Sequence, residues 1–198
     1  MKTHTSFKSI LLPIILIAAT VLTVASCKDN KKPEDTKKVA EEQNEAKFDN
    51  RNNEKDAQFL VNAAEINLEE IKLGQLAQQK STMTDVKELG KMMETEHTKA
   101  LKDLTALAGK KSITLPAAAT NDAQDAYKKL SEKAGTKFDK EYCDKMVDGH
   151  KDAISKFEKA STDATDMDIK QWAATMLPAL RTHLDHSMMC QKKAEKMK

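Results

Sequence analysis

The sequence is short of the residues that bend and punctuate a chain. Its 198 residues include only 5 glycines, 4 prolines, 1 tryptophan, 2 tyrosines and 5 phenylalanines. Alanine, leucine, lysine, glutamate and methionine dominate instead, a composition that belongs to an all-helical fold. No charge of one sign prevails: 33 basic side chains face 31 acidic ones. A balanced chain leaves no electrostatic footprint for nucleic acid or for an anionic membrane surface. No Ser-His-Asp order, phosphate loop or dinucleotide fingerprint occurs, so the chemistries those motifs serve have nothing to stand on. The one long apolar stretch, Ile10 to Ala25, contains Pro13 and is too short for a permanent membrane span.

That stretch has another reading. Lys2 and Lys8 precede it without an acidic residue, and Val24-Ala25-Ser26-Cys27 ends it. A basic start, an apolar core and small residues before a cysteine make a secretory signal over residues 1–26. The last four residues resemble the lipobox of bacterial lipoproteins, in which the cysteine carries the lipid. Cys27 is therefore the expected lipidation site and the membrane the expected partner, with no nucleic acid and no protein partner identified. Cleavage removes two lysines and no acid, which leaves the two signs equal. The residue after Cys27 is Lys28, unlike the aspartate of inner-membrane retention signals. The expected location is the cell envelope, lipid-anchored at the outer membrane and facing the periplasm.

Residues 27–53 are charged and nearly free of large apolar side chains, which predicts a flexible tether. From residue 54 to 198 the apolar residues recur at helical spacing. A first long helix is expected from about Glu54 to Lys80, with Phe59, Ala63, Ile66, Leu73 and Ala77 on its inner seam. A second runs from about Thr84 to Gly109 through Val86, Gly90, Met93, Leu104 and Leu107. The connection that follows holds Leu115-Pro116 and a short helix from about Asp122 to Lys133. A third long helix runs from about Lys137 to Ser161, with Tyr142, Met146, Ala153 and Phe157 inward. A fourth runs from about Asp166 to Glu195, with Ile169, Trp172, Met176, Leu180 and Cys190 inward and Pro178 placed to kink it. Four such helices predict a four-helix bundle. The short first and last links make antiparallel pairs, and the long middle connection lets the second and third helices run parallel, as in ferritin-like topology.

Each seam is broken by one polar residue near its helix midpoint: Glu70, His97, His150 and His183. At 1.5 Å rise per residue the four fall within about 5 Å of one level. Each costs roughly 1–3 kcal/mol if buried without a partner, so four at one level call for a common purpose. One carboxylate and three imidazoles suit a divalent metal; zinc, copper and iron all accept such ligands. Glu94 and His186, each one turn from a site histidine, are expected as outer partners or spare ligands. Met93 and Met146 lie one turn away, which tilts the choice slightly to copper, although methionine also fills core gaps. Cys143 and Cys190 should share a level about 10 Å from the histidines. In an exported domain a disulfide between them is the preferred reading, with two reduced core thiols as its alternative.

Several spaced pieces are similar to a family of exported bacterial proteins of ferritin-like fold, domain of unknown function 4142. They are Phe59-Leu60, Glu70-Ile71 and Leu73-Gly74; Glu96-His97-Thr98-Lys99; Ile113-Thr114-Leu115-Pro116; Phe138-Asp139 with Tyr142; Asp148-x-His150; and Leu177-Pro178-x-Leu180-x-x-His183. The resemblance spans Asp56 to about His186 and implies a ferritin-like bundle and export, with no activity to carry over. Against true ferritins the di-iron pattern is incomplete. Glu70 and Glu94-x-x-His97 fit it, but His150 stands where the third helix should give a carboxylate, and Leu180 where the fourth should give a glutamate. Bridging carboxylates hold two irons together, so one metal, or none, fits better. The expected role is thus metal binding or envelope stress protection rather than turnover. A metal-free structural or interaction module, whose polar layer only fixes helix register, is the alternative, and a redox enzyme of the ferritin-like class the third.

Overall fold

Six helices make up residues 34–197, the part described by the computed structural model of the chain, and no strand occurs among them. They are α1 (Thr36–Glu45), α2 (Arg51–Lys80), α3 (Thr84–Lys110), α4 (Asn121–Ser131), α5 (Gly135–Asp163) and α6 (Met167–Ala194). The expected signal and Cys27 lie outside these residues. The four long helices start and stop close to where their periodicity places them. Side-chain caps fix the start of two of them: Asn50 accepts from the Asn52 amide ahead of α2, and Asp166 accepts from the Asp168 and Ile169 amides ahead of α6. Pro178 does not interrupt α6, and its carbonyl accepts the Thr182 hydroxyl at 3.1 Å. No helix among the described residues is long and apolar enough to cross a membrane.

The segment expected to be a tether departs from that reading. Thr36–Glu45 is helical and seated on the body. It has few large apolar residues, and polar contacts hold it instead. Asn44 makes a two-way amide pair with the Thr114 backbone, at 2.9 and 2.8 Å. Lys37 pairs with Glu65 at 2.6 Å, and the Thr36 hydroxyl donates to the Ala118 carbonyl at 2.9 Å. Ala40 is buried beneath these contacts. Composition alone carried no sign of them, because each partner lies more than 25 residues away along the chain.

The apolar seams form two cores rather than one. One gathers Leu73, Leu76, Val86, Met93, Phe138, Tyr142 and Met146, reaching to Cys190 and Ala194. The other gathers Leu60, Ala63, Leu104, Phe157, Ile169, Leu177 and Leu180. Chain direction follows from the order in which each helix visits them. Helices α2 and α6 pass from the second core to the first, whereas α3 and α5 pass from the first to the second. The 3–5 pair therefore runs parallel, and the segment with α4 spans the length between them. The closest packing lies within two hairpins, α2 with α3 and α5 with α6. In the first hairpin a Cβ on Gly74 would stand 2.5 Å from the Gly90 carbonyl oxygen, and one on Gly90 2.7 Å from that of Gly74. Only glycine lets these two backbones come so close.

Candidate metal centre

Between the two cores lies a polar layer. Glu70 of α2, His97 of α3, His150 of α5 and His183 of α6 are all buried, joined by Asn67 one turn before Glu70. Each long helix contributes where its seam crosses from one core to the other, which is the level that counting residues from the helix midpoints predicts.

The three histidines converge. One ring nitrogen from each lies within 4.8 Å of the others. Their remaining hydrogen bonds fix which nitrogens carry protons. His150 Nδ1 lies 2.8 Å from the Met146 carbonyl, which can only accept, so Nδ1 bears the hydrogen. His183 Nε2 lies 2.9 Å from a Glu96 carboxylate oxygen and donates to it. Asn67 uses its amide N–H on the Ala63 carbonyl at 2.7 Å, so its oxygen faces His97 Nδ1 at 3.0 Å and accepts from it. Each imidazole thus has one nitrogen committed outward as a donor. The other nitrogens, His97 Nε2, His150 Nε2 and His183 Nδ1, are left as bare lone pairs. His97 Nε2 is buried and has no partner at all.

The 3.3 Å between His150 Nε2 and His183 Nδ1 is informative. With these tautomers no hydrogen lies between them, so the contact is repulsive as it stands. Two nitrogens bound at 2.0–2.1 Å to one tetrahedral ion sit about 3.3–3.4 Å apart. This pair is already at ligand spacing, and His97 needs only a modest approach to complete a three-nitrogen set.

Electrostatics keep the set in its ligating form. Burial pushes His97 well below the ordinary imidazole value, with the neighbouring His150 and His183 adding to the effect. Burial takes His150 down to about 4, and it lowers His183 against the opposing pull of Glu96. All three are neutral at neutral pH, the state a metal requires.

Glu70 is in the layer but not in the cluster. Its carboxyl group lies against α5, with Oε1 3.3 Å from where a Cβ on Gly149 would stand, and Oε2 is buried without a partner. Burial, with a small addition from Glu69, raises it to about 8, so it is a neutral acid there. Of the four ligands expected from the sequence, the three imidazoles converge, and Glu70 lies in the same buried layer turned towards Gly149. Glu94 is also elsewhere. It is half-buried and accepts from the Gln75 and Gln78 amides at 2.8 and 2.7 Å. Three residues back along α3 turns it towards α2, while Glu96, one residue back, faces α6 and His183. Glu96 and Asn67 are the outer partners that sequence reasoning missed. Asn67 shares a face with Glu70 and was in principle visible; Glu96 depends on how α3 and α6 are rotated, which no single helix records. His186 lies one turn beyond His183, in a groove with Met92 and Cys190. Cys143 and Cys190 do meet across α5 and α6, with their sulfurs 2.9 Å apart, but as free thiols in contact rather than the expected disulfide.

Residues 40–189 match the family described as Domain of unknown function (DUF4142). The chain belongs to that family. No curated protein and no solved structure matches it. All three histidines of the cluster, and both of its outer partners, fall inside the DUF4142 region. So does a cleft of about 480 Å³ between α3 and α6, bordered by Glu96, His97, Lys99, Asp103, Trp172 and His183. It opens the Glu96 side of the layer to solvent, while the three imidazoles are buried.

Proposed function

We propose that this DUF4142 chain is a lipid-anchored protein of the cell envelope, held by Cys27 at the outer membrane, whose ferritin-like four-helix bundle binds one divalent transition-metal ion. The ligands are His97, His150 and His183, with Glu70 next to them as a reserve carboxyl group. The observation that carries this reading is the convergence of three buried imidazoles, with one ring nitrogen from each within 4.8 Å of the others. Each is backed by an outward hydrogen bond to Asn67, Met146 or Glu96, and such outer partners are what orient metal-bound imidazoles. A buried layer of this kind without an ion leaves three lone pairs opposed and unpaired, a poor arrangement for a merely structural device. Zinc, copper and iron all suit three imidazoles. The helix directions and the long link between α3 and α5 support the ferritin-like topology. The basic, apolar and small-residue order of residues 1–27 supports export and lipidation. The role that follows is holding a metal in the envelope rather than turning over a substrate.

Elemental analysis of the purified full-length protein, beside a His150→Ala/His183→Ala variant, tests the reading. Near-stoichiometric metal in the native chain and none in the variant is the expected result. No metal after loading with zinc, copper and iron would leave a polar layer that only sets helix register.

A further inference from the structure

The metal centre leaves unused a second set of donors on the outside of the same two helices. Between α3 and α6 lies a small pocket of about 130 Å³ lined by Met92, His186, Met189 and Cys190, with Asp85, Glu88 and Lys193 also in its lining. His186, Met189 and Cys190 stand at i, i+3 and i+4 on one face of α6, and Met92 closes the pocket from α3. Cys190 is buried at the base, whereas Met189 and its neighbour Met188 are 57% and 48% exposed. A thioether in water gains nothing from packing, and α6 carries two side by side. The lining thus offers two thioethers, a thiol and an imidazole. Of the two carboxylates in its lining, Asp85 is engaged by Lys193.

Donor softness decides what such a pocket holds. Thioether and thiol sulfur select monovalent copper, while calcium, magnesium and manganese prefer oxygen. We propose that this pocket is a second metal site, which takes a soft monovalent cation, Cu(I), through Met92, His186, Met189 and Cys190. It lies one to two helical turns from His183 along α6, and with Lys193 paired to Asp85 the carboxylate of Glu88 leaves the lining with a net negative charge. The site shares no ligand with the histidine cluster and stands or falls separately from it.

Silver(I), the redox-inert analogue of Cu(I), is the probe. The reduced full-length protein is titrated with Ag(I) by calorimetry beside three variants: Met92→Leu/Met189→Leu, His150→Ala/His183→Ala, and Cys143→Ser. Leucine keeps the volume of methionine, so the first variant retains the fold; unchanged circular dichroism checks this. The expected result is a loss of about tenfold or more in Ag(I) affinity in the methionine variant, with affinity retained in the other two. An unchanged isotherm in the methionine variant would overturn the proposal, as would loss of binding in Cys143→Ser alone, which would mean that the thiol pair is the only site. Loss confined to the His150→Ala/His183→Ala variant would overturn it too, since the silver would then sit in the buried cluster.

Discussion

At neutral pH the side chain of Glu70 keeps a proton in the folded chain that it gives up on unfolding. Its group sits at about 8 in the native state against 4.5 in the open chain. Between those values the folded protein binds more protons than the unfolded one, so stability falls as pH rises through that window. Each unit of difference corresponds to about 1.4 kcal/mol, so holding the proton at pH 7 costs about 3 kcal/mol. The histidines act in the opposite sense. Their native values lie below 6.5, with His150 at about 4, so stability is lost as pH falls below 6.5. The metal-free protein should therefore be most stable near pH 7; between pH 6.5 and about pH 8 Glu70 alone costs about 2 kcal/mol, and the histidines offset part of that. Replacing Glu70 by glutamine removes the titrating group while nearly keeping its shape. The absolute gain is blurred, because the amide brings buried N–H groups that cost about 1–3 kcal/mol if unmet. The pH slope is not blurred, since every other group is common to both chains. Urea unfolding of the two proteins in chelator, followed by circular dichroism across that range, should show the native chain falling behind Glu70→Gln by about 2 kcal/mol between about pH 6.5 and 8. Parallel curves above pH 6.5 would refute the placement of Glu70 as a buried neutral acid.

Other substitutions probe other parts of the construction. Glu96→Ala removes the partner that orients His183 and should weaken metal binding by about 10–100-fold with little change in metal-free stability, read by competition with a chelating dye. Tyr142→Phe deletes a buried hydroxyl that has no partner, so thermal unfolding should show a melting temperature equal to or above that of the native chain, where most core truncations lower it. Gly74→Ala drives a methyl group into the Gly90 carbonyl and should lower stability by about 1–3 kcal/mol in urea unfolding, because the obstacle is backbone and cannot rotate away. Asn44→Ala breaks both hydrogen bonds to the Thr114 backbone and should speed proteolysis within Thr36–Glu45 while sparing the four long helices.

Much of this was legible because helices write themselves into sequence by period. The seams of Phe59 to Ala77 and Ile169 to Cys190 give the long helices, and the placing of Glu70, His97, His150 and His183 at their midpoints gives a shared level. What period cannot give is rotation. Whether Glu70 turns to the imidazoles or to Gly149, and whether Glu94 or Glu96 meets His183, differ by a fraction of a turn set by packing between helices. The seat of α1 escaped for another reason. Asn44, Lys37 and Thr36 are ordinary polar residues, and only the distant partners Thr114, Glu65 and Ala118 give them a role. The thiols of Cys143 and Cys190 lie where heptad counting puts them, since seven residues on antiparallel neighbours return to one height.

The two hairpins meet each other more thinly than they meet within themselves, and the histidine layer lies across that meeting. His97 belongs to the α2–α3 hairpin, whereas His150 and His183 belong to α5–α6. An ion bound by all three would rivet the halves at mid-height, adding little to either one alone but opposing any sliding or parting of the two. Occupancy would then be felt as stiffness. Amide protons at the facing sides of α2 and α5, and of α3 and α6, would exchange faster in the empty protein, while those inside each hairpin would scarcely notice.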